Sequence, residues 1–519
     1  MARLPVLLVA AAVAALTAGA GGERGFVFEE ATIDSMHQGF HNGSLTSAAL
    51  VGFYLDQIAR LNPLLRAVIE VNPDALRQAA RADAQRERER SSPSPAAAGR
   101  RRGGLHGIPV LVKDLIATRD GLNTTAGSLA LLGAVARRDA GVVARLRRAG
   151  AVVLGKASLP EWANFRSARG LLQGWSSRGG RSRDPYVLSA SLCGSSTGSS
   201  IATAANMAAA ALGTETMDSI LCPASRNAVV GIKPTVGLTS RAGVIPFTPR
   251  QDTVGPICRT VADAVHVLDA IVGYDELDGA ATRAASKYIP PGGYTQFLRI
   301  DGLNGKRIGI PNGFFDFSNE TVREIVYKQH VDTMREHGAT VIENLEIANL
   351  SGILGITNNG LLTALTAEFK FHLNNYLSNL SYSPVRSLAD IIAFNNAHPV
   401  EERIKEYGQQ ILLMSENTTG IGPQELAIIH QLEELSENGV VKLIKDHQLD
   451  AILTPDSSAT ALIAYIGLPG IVVPAGYDER GVPFSICYSG LKGYEPRLIE
   501  MAYAFEQATK VRRQPTFKD

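Results

Sequence analysis

The sequence predicts an α/β layer fold built on a largely parallel or mixed sheet, and three observations carry that expectation. Short apolar runs alternate with helix-patterned stretches along most of the chain. The runs at 108–112, 152–155 and 229–232 hold apolar residues or glycine at consecutive positions, which suits strands buried on both faces. The 519 residues include 45% hydrophobic side chains, enough apolar material to bury a large core.

The elements follow in order. Arg3, an apolar run over 4–16 and the small residues Ala18, Gly19 and Ala20 read as a signal peptide over 1–20. Length alone allows one large α/β domain or two smaller ones, and residues 28–519 are expected to form one. Within it, 28–82 is helical: Thr46 can cap a segment in which Leu50, Val51, Tyr54, Leu55 and Ile58 recur at helical spacing. Residues 86–104 are charged, then rich in Ser, Pro and Ala, then basic, and form an exposed loop. Strands follow at 110–113, 152–155, 229–232, 307–310 and 451–454. Helices alternate with them at 140–149, 261–272 and 324–337. The stretch 360–440 favours helix formers and polar residues, and is expected to be a helical cover over the sheet.

Composition excludes several roles. A net charge of +1 and 6% aromatic residues give no basic or stacking surface for nucleic acid. No stretch after the leader is apolar enough to span a membrane. Asn-X-Ser/Thr sequons begin at Asn42, Asn123, Asn319, Asn349, Asn379 and Asn417 and agree with a secretory route, to the exterior or another endomembrane compartment. Asn123 is expected to be buried and unmodified. The four cysteines, Cys193, Cys222, Cys258 and Cys487, match neither a zinc site nor a dense disulfide framework. Cys193 and Cys222 are close enough to two notable serines to approach each other. The expectation is nonetheless a reduced, buried thiol at each position.

Candidate chemistry gathers in 193–235. A Gly/Ser turn at 194–200 opens a small-residue helix, and a second Gly/Thr turn at 213–219 follows. Ser195 and Ser219 are expected at the two ends of that helix. A serine hydroxyl needs a base within hydrogen-bond reach to act as a nucleophile. No histidine stands in a triad-like motif, but Lys113 ends a buried strand, where a dry setting lowers an ammonium pKa. Lys113 is either such a base or a simple ion-pair partner of Asp114. The 194–200 turn alone is equally an anion-binding helix start or a cap. It is neither a P-loop nor a G-x-S-x-G elbow. The second turn can aim consecutive backbone N–H groups at one point, as an oxyanion hole requires.

These pieces together resemble the amidase signature family, from about residue 28 to the end of the chain. The matching stretches are GIPVLVKD at 107–114, the Gly/Ser segment at 193–200, GTE-T at 213–216, Ser219-Ile220, GIKPT at 231–235 and DTVGP at 252–256. GWSSRGG at 174–180, ILCPA at 220–224 and SRAGVIP at 240–246 bring it nearest to peptide amidases and their plant relatives. The resemblance implies a central mixed sheet covered by helices on both faces. It also implies hydrolysis of a small amide or a peptide C-terminal amide, with no metal or cofactor. By the same resemblance Ser219 matches the nucleophile, Ser195 a bridging serine after a cis peptide bond, and Lys113 the base. The N–H groups of Thr216, Met217 and Asp218 match the oxyanion hole.

The chain departs from the family where Met217-Asp218 replaces Asp-Gly or Gly-Gly. A glycine there serves a positive φ or close approach of substrate. A carboxylate about 5 Å from a developing oxyanion opposes it by about 3 kcal/mol, roughly a hundredfold in rate. A weak or silent amidase-fold protein that only binds an amide is therefore the competing expectation. An ammonia-channelling amidotransferase subunit fits less well with a leader peptide. Leu115, Leu192 and Ser200 are lesser departures. Trp175, Phe369, Phe371 and Tyr376 either line the acyl pocket or belong to the core.

Overall fold

The computed structural model describes residues 25–91, 104–167, 173–318 and 321–519. The signal peptide expected at 1–20, residues 92–103 of the expected 86–104 loop and the Asn319 sequon lie outside the described residues; residues 86–91 are not loop but the end of the helix Ala75–Ser91, with Arg86 buried.

The strands, in chain order, are β1 Val68–Val71, β2 Pro109–Lys113, β3 Val152–Ala157, β4 Trp175–Ser176, β5 Gly180–Arg181, β6 Ala210–Glu215, β7 Val230–Lys233, β8 Thr253–Cys258, β9 Arg307–Pro311, β10 Thr340–Leu345, β11 Ala451–Pro455, β12 Gly470–Tyr477 and β13 Pro483–Ser489. Eleven of them form one sheet in the order β1-β3-β2-β6-β8-β7-β12-β13-β11-β9-β10, and β4 pairs with β5 apart from it. Pairing is parallel from β3 through β2 to β6 and again from β11 through β9 to β10. The pairs between β6 and β11 are antiparallel, so the sheet is mixed as expected.

Both faces of the sheet are covered, because successive side chains of a strand point to opposite sides. Phe484, Ile486 and Tyr488 of β13 join one apolar cluster, while Cys487 joins the other. Ile471 and Val473 of β12 divide from Val472 in the same way. The first cluster is closed by the helices Val261–Ile271 and Glu495–Thr509, through Ala264, Leu268, Ile499 and Phe505. The second is closed by Leu221–Arg226 and Pro423–Ser436, through Leu221, Ala224 and Leu432. The stretch expected to be a helical cover holds Leu361–Ser378, Leu388–Ala397, Gln410–Glu416 and Pro423–Ser436. No helix among the described residues is long and apolar enough to cross a membrane.

Thr46 does cap its helix, accepting a hydrogen bond from Ala49 N. Two expectations are corrected. Residues 28–82 are not helical throughout: the chain leaves Ser47–Leu65 through Arg66 at φ 50° and enters β1. The stretch 213–219 is not one turn either. It is strand up to Glu215, with every residue of β6 buried between β2 and β8. Alanine, glycine and threonine in AALGTE carry a weak strand signal, and sheet pairing overrides it. Consequently Ser195 and Ser219 do not cap the two ends of one helix. Ser195 precedes Thr197–Ala204, whereas Ser219 follows β6 and precedes Leu221–Arg226.

The helix start at Thr197 is set tightly against the β1–β3 edge. A Cβ on Gly198 would lie 2.3 Å from Ala67 O and 2.4 Å from Ser158 N, so only glycine lets the Ser195 turn settle there.

Candidate active site

Lys113 and Asp114 are consecutive on β2 and its exit, so their side chains part to opposite sides. The Asp114 carboxylate accepts hydrogen bonds from Thr125 Oγ1, Thr125 N (3.2 Å) and Gly127 N (3.1 Å), with Arg178 at 3.5 Å. Lys113 is fully buried, and its Nζ lies 2.7 Å from Ser195 Oγ, 3.0 Å from Ser196 Oγ and 3.2 Å from Thr214 O. The ion-pair alternative for Lys113 therefore fails. Burial drives its pKa well below the lysine range, against the opposing pull of Glu215 and Asp252.

The neighbours suit a neutral amine. A neutral lysine has two N–H donors and one lone pair. Thr214 O and Ser196 Oγ can take the two donors, since Ser196 Oγ also receives Thr214 N at 3.2 Å and donates to Thr214 O at 3.1 Å. The lone pair is then left for the hydroxyl proton of Ser195.

Ser195 is 1% exposed and follows a cis Gly194–Ser195 bond. Ser196 N donates to Ser219 O at 3.0 Å, which ties the two serine-bearing turns together. The partly exposed Ser219 hydroxyl donates to Met217 O at 3.3 Å. A side-chain rotation is needed to turn it toward Ser195.

A second tie joins the turns. Cys193 and Cys222 form a disulfide, contrary to the expectation of reduced thiols. Their 29-residue separation in sequence hides that the chain runs out through the helix Thr197–Ala204 and back through β6 between them. Cys258 and Cys487 remain free and buried.

The segment carrying Thr216, Met217 and Asp218 is held from both ends. Thr216 Oγ1 donates to Asp252 Oδ1 at 2.6 Å, and Asp252 Oδ2 accepts from Phe247 N (2.7 Å) and Thr248 N (3.0 Å). Beyond it, Glu215 Oε2 accepts from Ile220 N (2.6 Å) and Leu221 N (3.0 Å), capping the start of Leu221–Arg226. Neither carboxylate was singled out from sequence. Burial raises the pKa of both, that of Asp252 to about 6.

Asp218 takes φ 69°, so the site of the expected glycine does demand the left-handed region. Aspartate tolerates it better than most residues. Its carboxyl does not stand free beside Ser219. It accepts a hydrogen bond from Thr460 Oγ1 at 3.1 Å and another from Ser457, in the segment after β11. Burial raises its pKa to about 7, helped by Glu215 and Asp456.

The lesser departures are all accommodated: Leu115 and Leu192 are buried and apolar. Ser200 is also buried, but its hydroxyl has no hydrogen-bond partner among the described residues, which carries a small destabilising cost. Phe369 is core, stacked on Phe247 with ring centroids 5.4 Å apart. Phe371 is 49% exposed. Trp175 is buried and stacks on Tyr407 at 4.5 Å. Tyr376 is half-buried, and its hydroxyl has no hydrogen-bond partner among the described residues.

Similarity to known proteins points to one family. The sequence model of the Amidase family matches residues 49–464. A "probable amidase" of Arabidopsis thaliana is 54% identical over 492 residues, covering 95% of this chain and 92% of that protein. The native peptide amidase of Stenotrophomonas maltophilia superimposes with a TM-score of 0.85 at 42% identity, covering 95% of this chain and 100% of that one. An amidase family protein of Bacillus anthracis gives a TM-score of 0.84 at 34% identity, over 94% and 92% of the two chains.

Proposed function

The chain belongs to the amidase family and is an amide-hydrolysing enzyme, and we propose that it works through an acyl-enzyme on Ser219. In this scheme neutral Lys113 takes the proton of Ser195 as Ser195 takes that of Ser219. The Ser219 alkoxide adds to the amide carbonyl, and the N–H groups of Thr216, Met217 and Asp218 face the resulting oxyanion. Protonated through the same relay, ammonia or an amine leaves. Water then cleaves the ester and restores Ser219. The observation that carries the proposal is the buried Lys113 Nζ at 2.7 Å from Ser195 Oγ, with its pKa well lowered.

For substrate, we propose the C-terminal amide of a peptide ahead of a simple small amide, on the likeness to the peptide amidase. Ammonia release from a panel of both kinds tests this. Turnover of peptide amides above acetamide-sized ones is the expected result. The reverse ranking assigns the enzyme to small amides.

Asp218 predicts a pH effect. Its carboxyl is neutral below about 7 and gains charge above it. Charge beside the oxyanion slows the reaction, so kcat/KM of the wild type is expected to decline above pH 7 by up to roughly a hundredfold. Asp218→Asn is expected to lose that alkaline decline and keep the acid limb that Lys113 sets. Superimposable pH profiles would show that Asp218 does not reach the oxyanion.

We further propose a secretory location. The apolar leader supports it, as do exposed asparagines at the sequons of Asn42, Asn349, Asn379 and Asn417 and the Cys193–Cys222 bond, which suits an oxidising compartment. Asn123 is half-buried rather than buried, and its Nδ2 donates to the Glu70 carboxylate at 3.0 Å, which supports an unmodified side chain.

A further inference from the structure

A cleft of about 630 Å³ beside Trp175 is lined by Arg66, Arg181, Arg183 and Arg403, with Leu192 in its wall. Elsewhere the arginines of this chain are commonly neutralised: Arg147, Arg178, Arg241 and Arg512 all pair with carboxylates. Among the described residues no carboxylate pairs with any of the four arginines of the cleft. Arg181 has a neutral partner, Gln173 Oε1 at 2.7 Å. Arg403 lies over the Trp175 ring at 5.7 Å. Arg66 lies over Gly180, at φ 73°, where a Cβ would fall 2.4 Å from Arg66 Nη1 and push the guanidinium aside.

Two features connect this charge to a peptide. First, the cleft already receives an acidic residue, held by backbone hydrogen bonds on either side of Lys518. Phe517 N donates to Pro185 O (3.0 Å), Lys518 N to Tyr186 O (3.2 Å), and Leu188 N to Lys518 O (2.7 Å), which delivers Asp519 to the cleft. Second, the wall leads to the catalytic turn. Leu192 is three residues ahead of Ser195, so their Cα atoms are at most about 11 Å apart. An extended peptide covers that distance in about three residues.

We propose, resting on the peptide-amide reading, that this cleft is a subsite for a carboxylate side chain three to four residues ahead of the amide that is cleaved. The arginines act as specificity determinants, supplying exposed charge to a flexible ligand. Two such contacts are worth about tenfold.

The test uses two acetylated tetrapeptide amides that differ only in glutamate or glutamine at the first residue. We expect kcat/KM to favour the glutamate peptide by about tenfold at low salt, and the ratio to approach one in about 0.5 M salt. Arg183→Gln with Arg403→Gln should lower the ratio markedly, with Arg66 and Arg181 still in place, and leave the glutamine peptide unaffected. Arg183→Lys with Arg403→Lys should retain the preference. Equal rates for the two peptides in the wild type, or a ratio that survives the glutamine substitutions, overturns the proposal. If the enzyme turns over neither peptide, the peptide-amide reading fails by itself. Fluorescence anisotropy of a labelled glutamate tetrapeptide then decides: salt-sensitive binding weakened in the glutamine double variant supports the subsite, and no binding overturns it.

Discussion

Ser219→Ala is expected to lower amide hydrolysis by about 10⁵-fold or more while leaving the protein folded. The fold tolerates the change because, among the described residues, the Ser219 hydroxyl makes one hydrogen bond, to Met217 O. The bond that joins the two turns uses the backbone carbonyl of Ser219 and survives the substitution. The disulfide, three residues on, also holds the turn in place. What disappears is the atom that forms the ester. The remaining N–H groups of the turn can then assist only a direct attack by water. Ammonia release and thermal melting, measured side by side, check this. A variant within about tenfold of the wild-type rate removes Ser219 from the nucleophile role.

Lys113→Met is the second large effect, with an expected loss of about 10³-fold, in the range of a general base. Methionine fills the space of the lysine side chain up to its terminal nitrogen and needs no solvation, so the melting temperature should hold or rise. Ser196 Oγ and Thr214 O still satisfy each other after the change. The informative readout is the acid limb of the pH profile. The pKa of Lys113 lies well below the lysine range, so wild-type kcat/KM should climb with pH as the amine loses its proton. In Lys113→Met that climb should vanish along with the rate. A variant that keeps the limb would show that another group titrates there.

Much of the fold is legible in the chain because its strands are short apolar runs. The runs at 110–113, 152–155 and 451–454 became β2, β3 and β11 to within two residues. β6 escaped because its alanine, glycine and threonine lack the bulk that marks a strand, and only its burial between β2 and β8 makes it one. The candidate site divides in a similar way. Lys113, Ser195 and Ser219 stand in dense local motifs, where residue type and order suffice to single them out. Glu215 and Asp252 were missed because a carboxylate that caps a turn looks in sequence like any other acidic residue.

By itself the sequence determined which chemical groups are present: a lysine ending an apolar strand, serines in two turns, and a Met-Asp pair where glycine was expected. Tertiary structure alone decided what each group faces. β2 sends Lys113 to Ser195 and Asp114 to Thr125, because neighbouring side chains on a strand diverge. The return of β6 brings Cys193 and Cys222, 29 residues apart, to a Cα separation of 5.8 Å. Thr460, 242 positions along the chain, gives the Asp218 carboxyl a hydroxyl partner. Contacts between residues so distant in sequence depend on how the sheet is ordered and paired, and no local pattern of residues records that.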